Sequence, residues 1–271
     1  MTFWQTILKI LDLSMETPLP YGWFHLLSLA VTVATSVFLC LRCRDWSANR
    51  IRKLVLFTAI TVVILEIYKQ INYAFSYTDG IVFDYAWYAF PFQFCSTPMY
   101  VGLIAGLTRK GAIHEAANAY LATYSVFAGI CVMLYPVTVF IDTIGINIQT
   151  MVCHGSMIVI GVYLLCSGYV KLSHKTILKA IPVFAVCVLI AVAMNEIAYR
   201  TGLLETDTFD MFFISPYCTP SLPVYSLVQA VVPFPWSLVI YITGFTLAAY
   251  LILLIAIGFA KLTQKAIVTA K

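Results

Sequence analysis

The chain of 271 residues contains 62% hydrophobic and only 10% charged residues, whereas soluble domains carry about 25% charged residues. This composition excludes a water-soluble fold, and the small net charge of +4 excludes the basic stripe of a nucleic-acid-binding protein. We therefore predict a multi-pass membrane protein, since stretches of about 20 apolar residues are long enough to cross a bilayer as helices.

Residues 1–19 precede the first long apolar stretch, and they place Trp4, Ile7, Leu8 and Leu11 on one helical face. They lack the basic start and the small-residue cleavage site of a signal peptide. An amphipathic segment next to a membrane domain is typical of a helix that lies in the interface. We predict such a helix on the outer surface, with a disordered end as the alternative.

Seven charge-poor stretches follow within residues 20–262, the predicted transmembrane domain. A charge at the centre of a bilayer costs at least ~2.5 kcal/mol, and the strict alternation of a membrane β-barrel is absent, so the fold class is all-α with seven transmembrane helices. The predicted spans are 21–41, 54–75, 87–107, 116–135, 148–170, 177–199 and 236–260.

Residues 200–235 lie between the last two spans and contain a run without charge from residue 211 onwards. Five prolines in this run forbid a continuous helix, so we predict an outer lid or re-entrant loop. The prolines are Pro216, Pro220, Pro223, Pro233 and Pro235.

Basic residues orient the predicted bundle, because Lys and Arg concentrate in cytoplasmic loops. Thirteen of the sixteen basic residues fall on one side, and eight acidic residues fall on the other. This asymmetry predicts the N-terminus outside, the C-terminus inside, and residues 263–271 as a cytoplasmic tail. The acidic set is Asp12, Glu16, Asp79, Asp84, Asp142, Glu205, Asp207 and Asp210; the basic set is Arg42, Arg44, Arg50, Arg52, Lys53, Arg109, Lys110, Lys171, Lys175, Lys179, Lys261, Lys265 and Lys271.

Polar side chains within the spans gather in the predicted outer half of the membrane. Such residues mark functional sites because they must face the bundle interior and be satisfied there. The set predicts a cavity that opens to the outer surface or outer leaflet. Its members are His25, Glu66, Lys69, Gln70, Asn72, Gln93, Asn195 and Glu196. A structural alternative stays open, in which Glu66 and Lys69 neutralise each other and Asn195 only joins neighbouring helices.

Cys95 and His154 lie at similar predicted depths, and a cysteine beside a histidine can act as nucleophile and general base. Cys153 points about 100° away from His154 on the same helix and is the weaker nucleophile candidate. Ser96 and Thr97 are alternative nucleophiles that are less activated at neutral pH. Pro91 and Pro98 bracket Cys95 and weaken the helix there, which exposes backbone N–H groups suited to an oxyanion hole.

Neither a metal site nor another cofactor is predicted. Cys40 and Cys43 form a C-x-x-C pair, but no second pair of ligands lies within reach for a zinc site. Six of the eight cysteines lie inside predicted spans, so the sequence offers no disulfide framework.

Three segments of the chain resemble the YwaF-like integral membrane proteins. These segments are residues 91–98, residues 149–155 and residues 232–236, and the similarity covers about residues 20–262 in the order and spacing of the spans. The YwaF-like proteins are bacterial relatives of a eukaryotic seven-span acyltransferase that remodels ether phospholipids. The resemblance departs at residues 209–211, where many bacterial members carry Asn-aromatic-Met and this chain has Phe-Asp-Met.

The resemblance implies that Cys95 and His154 are the catalytic pair and that a fatty acyl chain passes between phospholipids through a cysteine thioester. It further implies a phospholipid or lysophospholipid partner and a bacterial plasma membrane. The same first step would serve an acyl hydrolase. The alternative hypothesis is a non-enzymatic transporter or a protein that binds lipid or a small solute, in which Glu66, Lys69 and Glu196 contact the ligand.

Overall fold

The computed structural model describes residues 3–76, 80–202 and 207–269, with side chains up to Leu262. Helices dominate these residues, which confirms an all-helical membrane protein. Six helices in the described residues are long and apolar enough to cross a bilayer, and a seventh apolar helix is shorter. The predictions for Asp79, Glu205 and Lys271 concern residues that lie outside the described part of the chain.

Ten α-helices lie in the described residues, joined by short irregular segments. They are α1 (Phe3–Leu11), α2 (Trp23–Arg42), α3 (Ala48–Asn72), α4 (Thr97–Leu107), α5 (Ala112–Tyr120), α6 (Val126–Leu134), α7 (Ile144–Cys166), α8 (Lys175–Thr201), α9 (Tyr225–Val231) and α10 (Trp236–Thr269). A two-residue antiparallel hairpin, β1 (Phe75–Ser76) with β2 (Val82–Phe83), follows α3.

The long helices run between two ends of the bundle that differ in charge. We name them the acidic end, which carries Asp12, Asp84 and Asp142, and the basic end, which carries Arg42 and Arg109. Helices α2, α4 and α7 finish at the basic end, whereas α3, α6 and α8 finish at the acidic end. The side of the membrane that each end faces stays a prediction.

The third predicted span is not one continuous helix. Residues 90–96 are non-helical, and α4 begins only at Thr97, with Pro98 in its first turn. Proline lacks the N–H that an interior turn needs but fits the first turn of a helix. With eleven residues, α4 is about 16 Å long and covers about half of the ~30 Å hydrocarbon core.

The fourth predicted span is continuous from α5 to α6 through a π-helical turn, Leu121–Ser125. Aromatic rings of this helix pack into the centre of the bundle. Tyr120 stacks on Tyr124, and Tyr124 stacks on Phe184 of α8 with ring centroids 4.5 Å apart. These fully buried rings make the core around the site rigid, since closely packed interiors tolerate little displacement.

The predicted lid folds against the acidic end of the bundle. It contains a 3₁₀ turn at Met211–Phe213 and the short helix α9. Met211, Phe212 and Ile214 are buried in the main hydrophobic core. The lid segment therefore belongs to the packed domain.

Four tryptophans lie at the acidic end with exposed side chains, of which Trp87 is the most covered at 40% exposure: Trp4, Trp23, Trp87 and Trp236. Trp46 lies at the basic end, where its ring packs edge-on against Tyr163. Tryptophan is enriched where a bilayer meets water, so this distribution fits helices that run from one interface to the other.

Candidate functional site

Cys95 lies in the unwound segment directly before α4. The turn that ends this segment is held by the Ser96 N–H, which donates to the Gln93 carbonyl at 2.8 Å, and by the Met99 N–H, which donates to the Ser96 carbonyl at 3.2 Å. The N-terminal end of a helix carries a partial positive charge. Cys95 thus lies beside the positive end of a half-helix inside the apolar part of the protein.

A small cavity of about 30 Å³ lies next to Cys95. Cys153, Met99 and Ser125 also line it, but His154 does not. A cavity needs only about 10–15 Å³ to hold one water molecule, and an acyl chain is far larger. Substrate can therefore reach Cys95 only if neighbouring side chains move.

His154 is buried, and its two ring nitrogens differ in their contacts. Nδ1 lies 2.7 Å from the Thr150 carbonyl oxygen, and Nε2 has no hydrogen-bond partner among the described residues. Because a carbonyl can only accept, Nδ1 carries the proton and Nε2 bears the free lone pair. The ring is held in the tautomer that a general base needs.

Two glycines bring the neighbouring helices close to His154. A Cβ atom on Gly155 would lie 2.6 Å from Oγ1 of Thr32, and one on Gly129 would lie 2.7 Å from the His154 carbonyl oxygen. Helices α2 and α6 therefore approach α7 at distances that a side chain would prevent. This close packing explains why a glycine follows His154 in the sequence.

Cys95 and His154 lie at similar depths. His154 is twelve residues before Cys166, the end of α7, and Cys95 is twelve residues before Leu107, the end of α4. At 1.5 Å per helical residue, both are roughly 15–18 Å from the basic end. Cys95 packs against Cys153, the residue before His154, and no hydrogen bond joins Cys95 to His154 among the described residues.

The two alternative nucleophiles differ in how their hydroxyl groups are engaged. Thr97 Oγ1 donates to the Phe94 carbonyl at 2.8 Å, and it lies 2.6 Å from the Tyr120 hydroxyl. Ser96 is buried beside Cys95. The contacts of Thr97 stabilise the first turn of α4. They also leave the hydroxyl oxygen of Thr97 less accessible than the Cys95 sulfur.

Glu66 is the centre of a hydrogen-bond network that joins α3 to α7. Its Oε1 accepts from Lys69 at 3.0 Å and from Gln70 at 2.8 Å, and its Oε2 accepts from Gln149 at 3.0 Å. Gln70 in turn accepts from the Tyr85 hydroxyl. The Lys69 ammonium forms an ion pair with the Glu66 carboxylate, and the two glutamine amides donate to its oxygens.

Gln149 was missed by the sequence reasoning. It precedes Cys153 by four residues, which puts the two side chains on one face of α7. That spacing is the signal that could have identified it.

Two amide side chains clamp the lid by pairing with its backbone. Gln93 donates to the Asp210 carbonyl at 2.8 Å and accepts from the Phe212 N–H at 2.8 Å. Asn195 donates to the Met211 carbonyl at 3.0 Å and accepts from the Met211 N–H at 2.8 Å. Both residues were predicted to line the cavity, and the structure places them between the bundle and the lid.

Asp210 adds a polar contact within the lid, at the position where the chain departs from the family pattern. Its carboxylate accepts from the Ser215 N–H at 2.8 Å. Burial raises the pKa of the Asp210 carboxyl to about 6 because a low-dielectric environment disfavours the charged form. The lid therefore contains a carboxyl that titrates close to neutral pH.

Three other residues that were predicted to line the cavity form hydrogen bonds or an ion pair in other parts of the protein. His25 accepts from the Tyr21 N–H at Nδ1 and donates from Nε2 to the Met133 carbonyl, both at 2.8 Å, so it joins α2 to α6. Asn72 donates to Asp12 beyond α1 at 3.2 Å. Glu196 is paired with Arg200 at 2.8 Å and accepts from the Tyr217 hydroxyl at 2.7 Å.

The chain is similar to one family of membrane proteins over most of its length. The sequence profile of the TMEM164 family matches residues 20–256. Neither the curated proteins nor the solved structures contain a significant match.

Proposed function

Because the chain belongs to the TMEM164 family, we propose that it is a membrane-embedded acyltransferase that moves a fatty acyl chain between phospholipids. The proposal includes the narrower assignment to the YwaF-like proteins and to a bacterial plasma membrane. The observation that carries it is the buried His154 Nε2, which has no partner among the described residues and lies at the depth of Cys95.

In the first step, His154 Nε2 takes the proton of the Cys95 thiol, and the thiolate attacks the ester carbonyl of a phospholipid. A tetrahedral oxyanion forms, and the partial positive charge at the N-terminal end of α4 stabilises it. When the C–O bond breaks, the leaving lysolipid oxygen takes the proton from His154. The products are a Cys95 thioester and a lysophospholipid.

In the second step, the hydroxyl of another lysolipid gives its proton to His154 and attacks the thioester carbonyl. Cys95 leaves as a thiolate and regains the proton from His154, and the acyl chain ends on the second lipid. Water in place of the second lipid would make the protein a hydrolase. The small, mainly apolar space beside Cys95 favours transfer, because it limits how many water molecules can reach the thioester.

The transporter alternative finds less support in the site. It assigns Glu66 and Lys69 to a solute, but Glu66 already accepts three hydrogen bonds from side chains of the protein. A solute would have to break these bonds within the apolar region, which costs about 1–3 kcal/mol for each group left unpaired.

The test is intact-protein mass spectrometry after incubation with a phospholipid that carries a labelled acyl chain. We expect wild type and Cys153→Ala to gain a hydroxylamine-sensitive adduct of one acyl chain, and Cys95→Ala and His154→Ala to gain none. Cys153→Ala is a strict control because Cys153 lines the same cavity as Cys95. An adduct that survives in Cys95→Ala, or no adduct and no lipid turnover in wild type, would refute the proposal.

A further inference from the structure

A second and larger cavity, of about 480 Å³, forms a groove between α3 and the start of α4. We name it the lateral groove; its walls include Ile67, Ile71, Met99, Tyr100 and Leu103. Its volume lies within the range of about 300–1,000 Å³ that is typical of small-molecule sites. The residues assigned to catalysis do not line it.

The lateral groove lies at the end of a close helix pair, since α3 and α4 pack tightly along α4. A Cβ atom on Gly102 would lie 3.0 Å from the Ala59 Cβ atom, and one on Gly106 would lie 2.5 Å from the Leu56 Cβ atom. This spacing of small residues lets two membrane helices come together. Towards the acidic end α4 stops at Thr97, so α4 does not cover the last turns of α3, and the groove opens on that face.

The mouth of the lateral groove faces the hydrocarbon of the bilayer. Ile67, Ile71 and Tyr100 are 55%, 39% and 37% exposed, and Ile67 and Ile71 belong to a candidate membrane span. Exposed apolar side chains on such a helix contact lipid tails. The molecules present at this mouth are therefore bilayer lipids.

Polar groups lie along only one side of the lateral groove. Glu66 and Gln70 line it, and Gln70 also donates to the Ala89 carbonyl at 2.9 Å. They lie on the last turns of α3 towards the acidic end, and the remaining walls are apolar. This lining suits a lipid whose ester region lies beside Glu66 and Gln70 and whose acyl chain lies along the apolar residues of α4.

Met99 connects the lateral groove with the site, because it lines both the groove and the cavity next to Cys95. The methionine side chain is unbranched and rotates about three bonds, so it adapts to different neighbours at low cost. Met99 is the residue that the two linings share, which makes it the candidate gate between them.

We propose that the lateral groove binds one acyl chain of a bilayer phospholipid, and that Met99 is the gate through which the ester of this chain reaches Cys95. The second part of the inference rests on the proposed acyltransferase function. It predicts that the acyl donor comes from the bilayer by a lateral path and not from water at either end of the bundle.

The binding test uses a phospholipid with a photoactivatable diazirine in its acyl chain, added to Cys95→Ala protein in lipid nanodiscs. In this background we expect cross-links on the peptides of α3 and α4 that line the groove. Adding Ile67→Trp and Ile71→Trp should fill the mouth and reduce these cross-links to background.

The matched control is the pair Ile60→Trp and Ile64→Trp, in the same background. Both residues are exposed on α3, are also four positions apart, and lie outside the groove. This control should keep the groove cross-links, which separates occlusion from the effect of added tryptophan. Groove cross-links that survive in the filled variant, or cross-links to a second copy of the chain, would overturn the proposal.

The gate test measures the acyl adduct of Cys95 in Met99→Phe and in Met99→Leu. The bulkier ring should slow adduct formation at least about tenfold, a change of 1.4 kcal/mol, whereas the volume-conserving leucine should change it little. Thermal unfolding of each variant shows whether it is folded. Equal adduct rates in folded Met99→Phe and wild type would overturn the gate.

The two proposals fail in different ways. Groove cross-links without any Cys95 adduct in wild type would refute the acyltransferase and leave the lipid site. A Cys95 adduct without groove cross-links would refute the lateral path and leave the acyltransferase.

Discussion

Replacing Asn195 with alanine should open the lid while the rest of the bundle stays folded. Asn195 is 3% exposed, and its amide makes both backbone hydrogen bonds of the fully buried Met211. Asn195→Ala removes both partners and leaves a buried N–H and a buried carbonyl unpaired. Each unpaired group costs about 1–3 kcal/mol.

The two groups together should therefore destabilise the closed lid by about 2–6 kcal/mol. Such a change raises the open population by a factor of at least about 30, since 1.4 kcal/mol corresponds to a factor of ten. Hydrogen exchange followed by mass spectrometry measures this opening directly, because local opening sets the exchange rate of protected amides. We expect faster exchange in the peptides that cover residues 209–217 and unchanged exchange in α7.

Thr201→Ala is the control, because Thr201 is exposed on the same helix and its hydroxyl bonds to backbone of that helix. It should leave the lid peptides protected. If the lid peptides of Asn195→Ala exchange no faster than those of the control, the amide clamp does not hold the lid and the reasoning is wrong.

Three further predictions concern other parts of the structure. Burial raises the pKa of Asp210 to about 6 from its ordinary value of 3.8, so protonation of this carboxyl favours the folded state. The unfolding temperature should therefore fall as the pH rises from about 4 to 6. In Asp210→Asn, the unfolding temperature should change less over this pH range. Gly106→Ala should cost about 1–3 kcal/mol, since its methyl group would lie 2.5 Å from a carbon of α3, whereas Gly244→Ala, with open space around it, should stabilise α10 by up to about 1 kcal/mol. Glu66→Ala should destabilise by about 3 kcal/mol because Lys69 loses its partner, and adding Lys69→Ala should recover part of this loss in a double-mutant cycle.

Each of these has a contradicting result. A pH profile that is the same with and without the Asp210 carboxyl would show that another group controls the lid. Equal unfolding temperatures for the two glycine variants would mean that α3 and α4 are not in close contact. Additive losses in the double mutant would mean that Glu66 and Lys69 do not interact.

The long helices could be predicted from the sequence because apolar runs without charge have one stable form in a bilayer. The start of α3 could not: it begins at Ala48, before the predicted residue 54, because its first turns carry Arg50, Arg52 and Lys53 at the basic end. Charge marks the edge of the hydrocarbon, and a helix can continue past that edge.

The break before α4 was only partly predictable. Pro91 and Pro98 indicated a weak helix, but an apolar segment has the same composition whether it is helical or unwound inside protein. The hydrogen-bond partners of this unwound segment belong to residues that are far away in the sequence. Gln93, for example, pairs with Asp210 and Phe212 of the lid, 117 and 119 positions away, and no local pattern encodes that contact.

The uneven distribution of tryptophan gives the protein a spectroscopic asymmetry. Four of the five indoles lie at the acidic end with exposed rings, and Trp46 alone lies at the basic end. Intrinsic fluorescence of the folded chain therefore reports mainly on one interface, while the core contributes through tyrosine. In sealed vesicles of uniform orientation, a quencher dissolved on one side should quench the fluorescence of four indoles or of one. The fraction of the fluorescence that is lost identifies which end of the bundle faces the quencher.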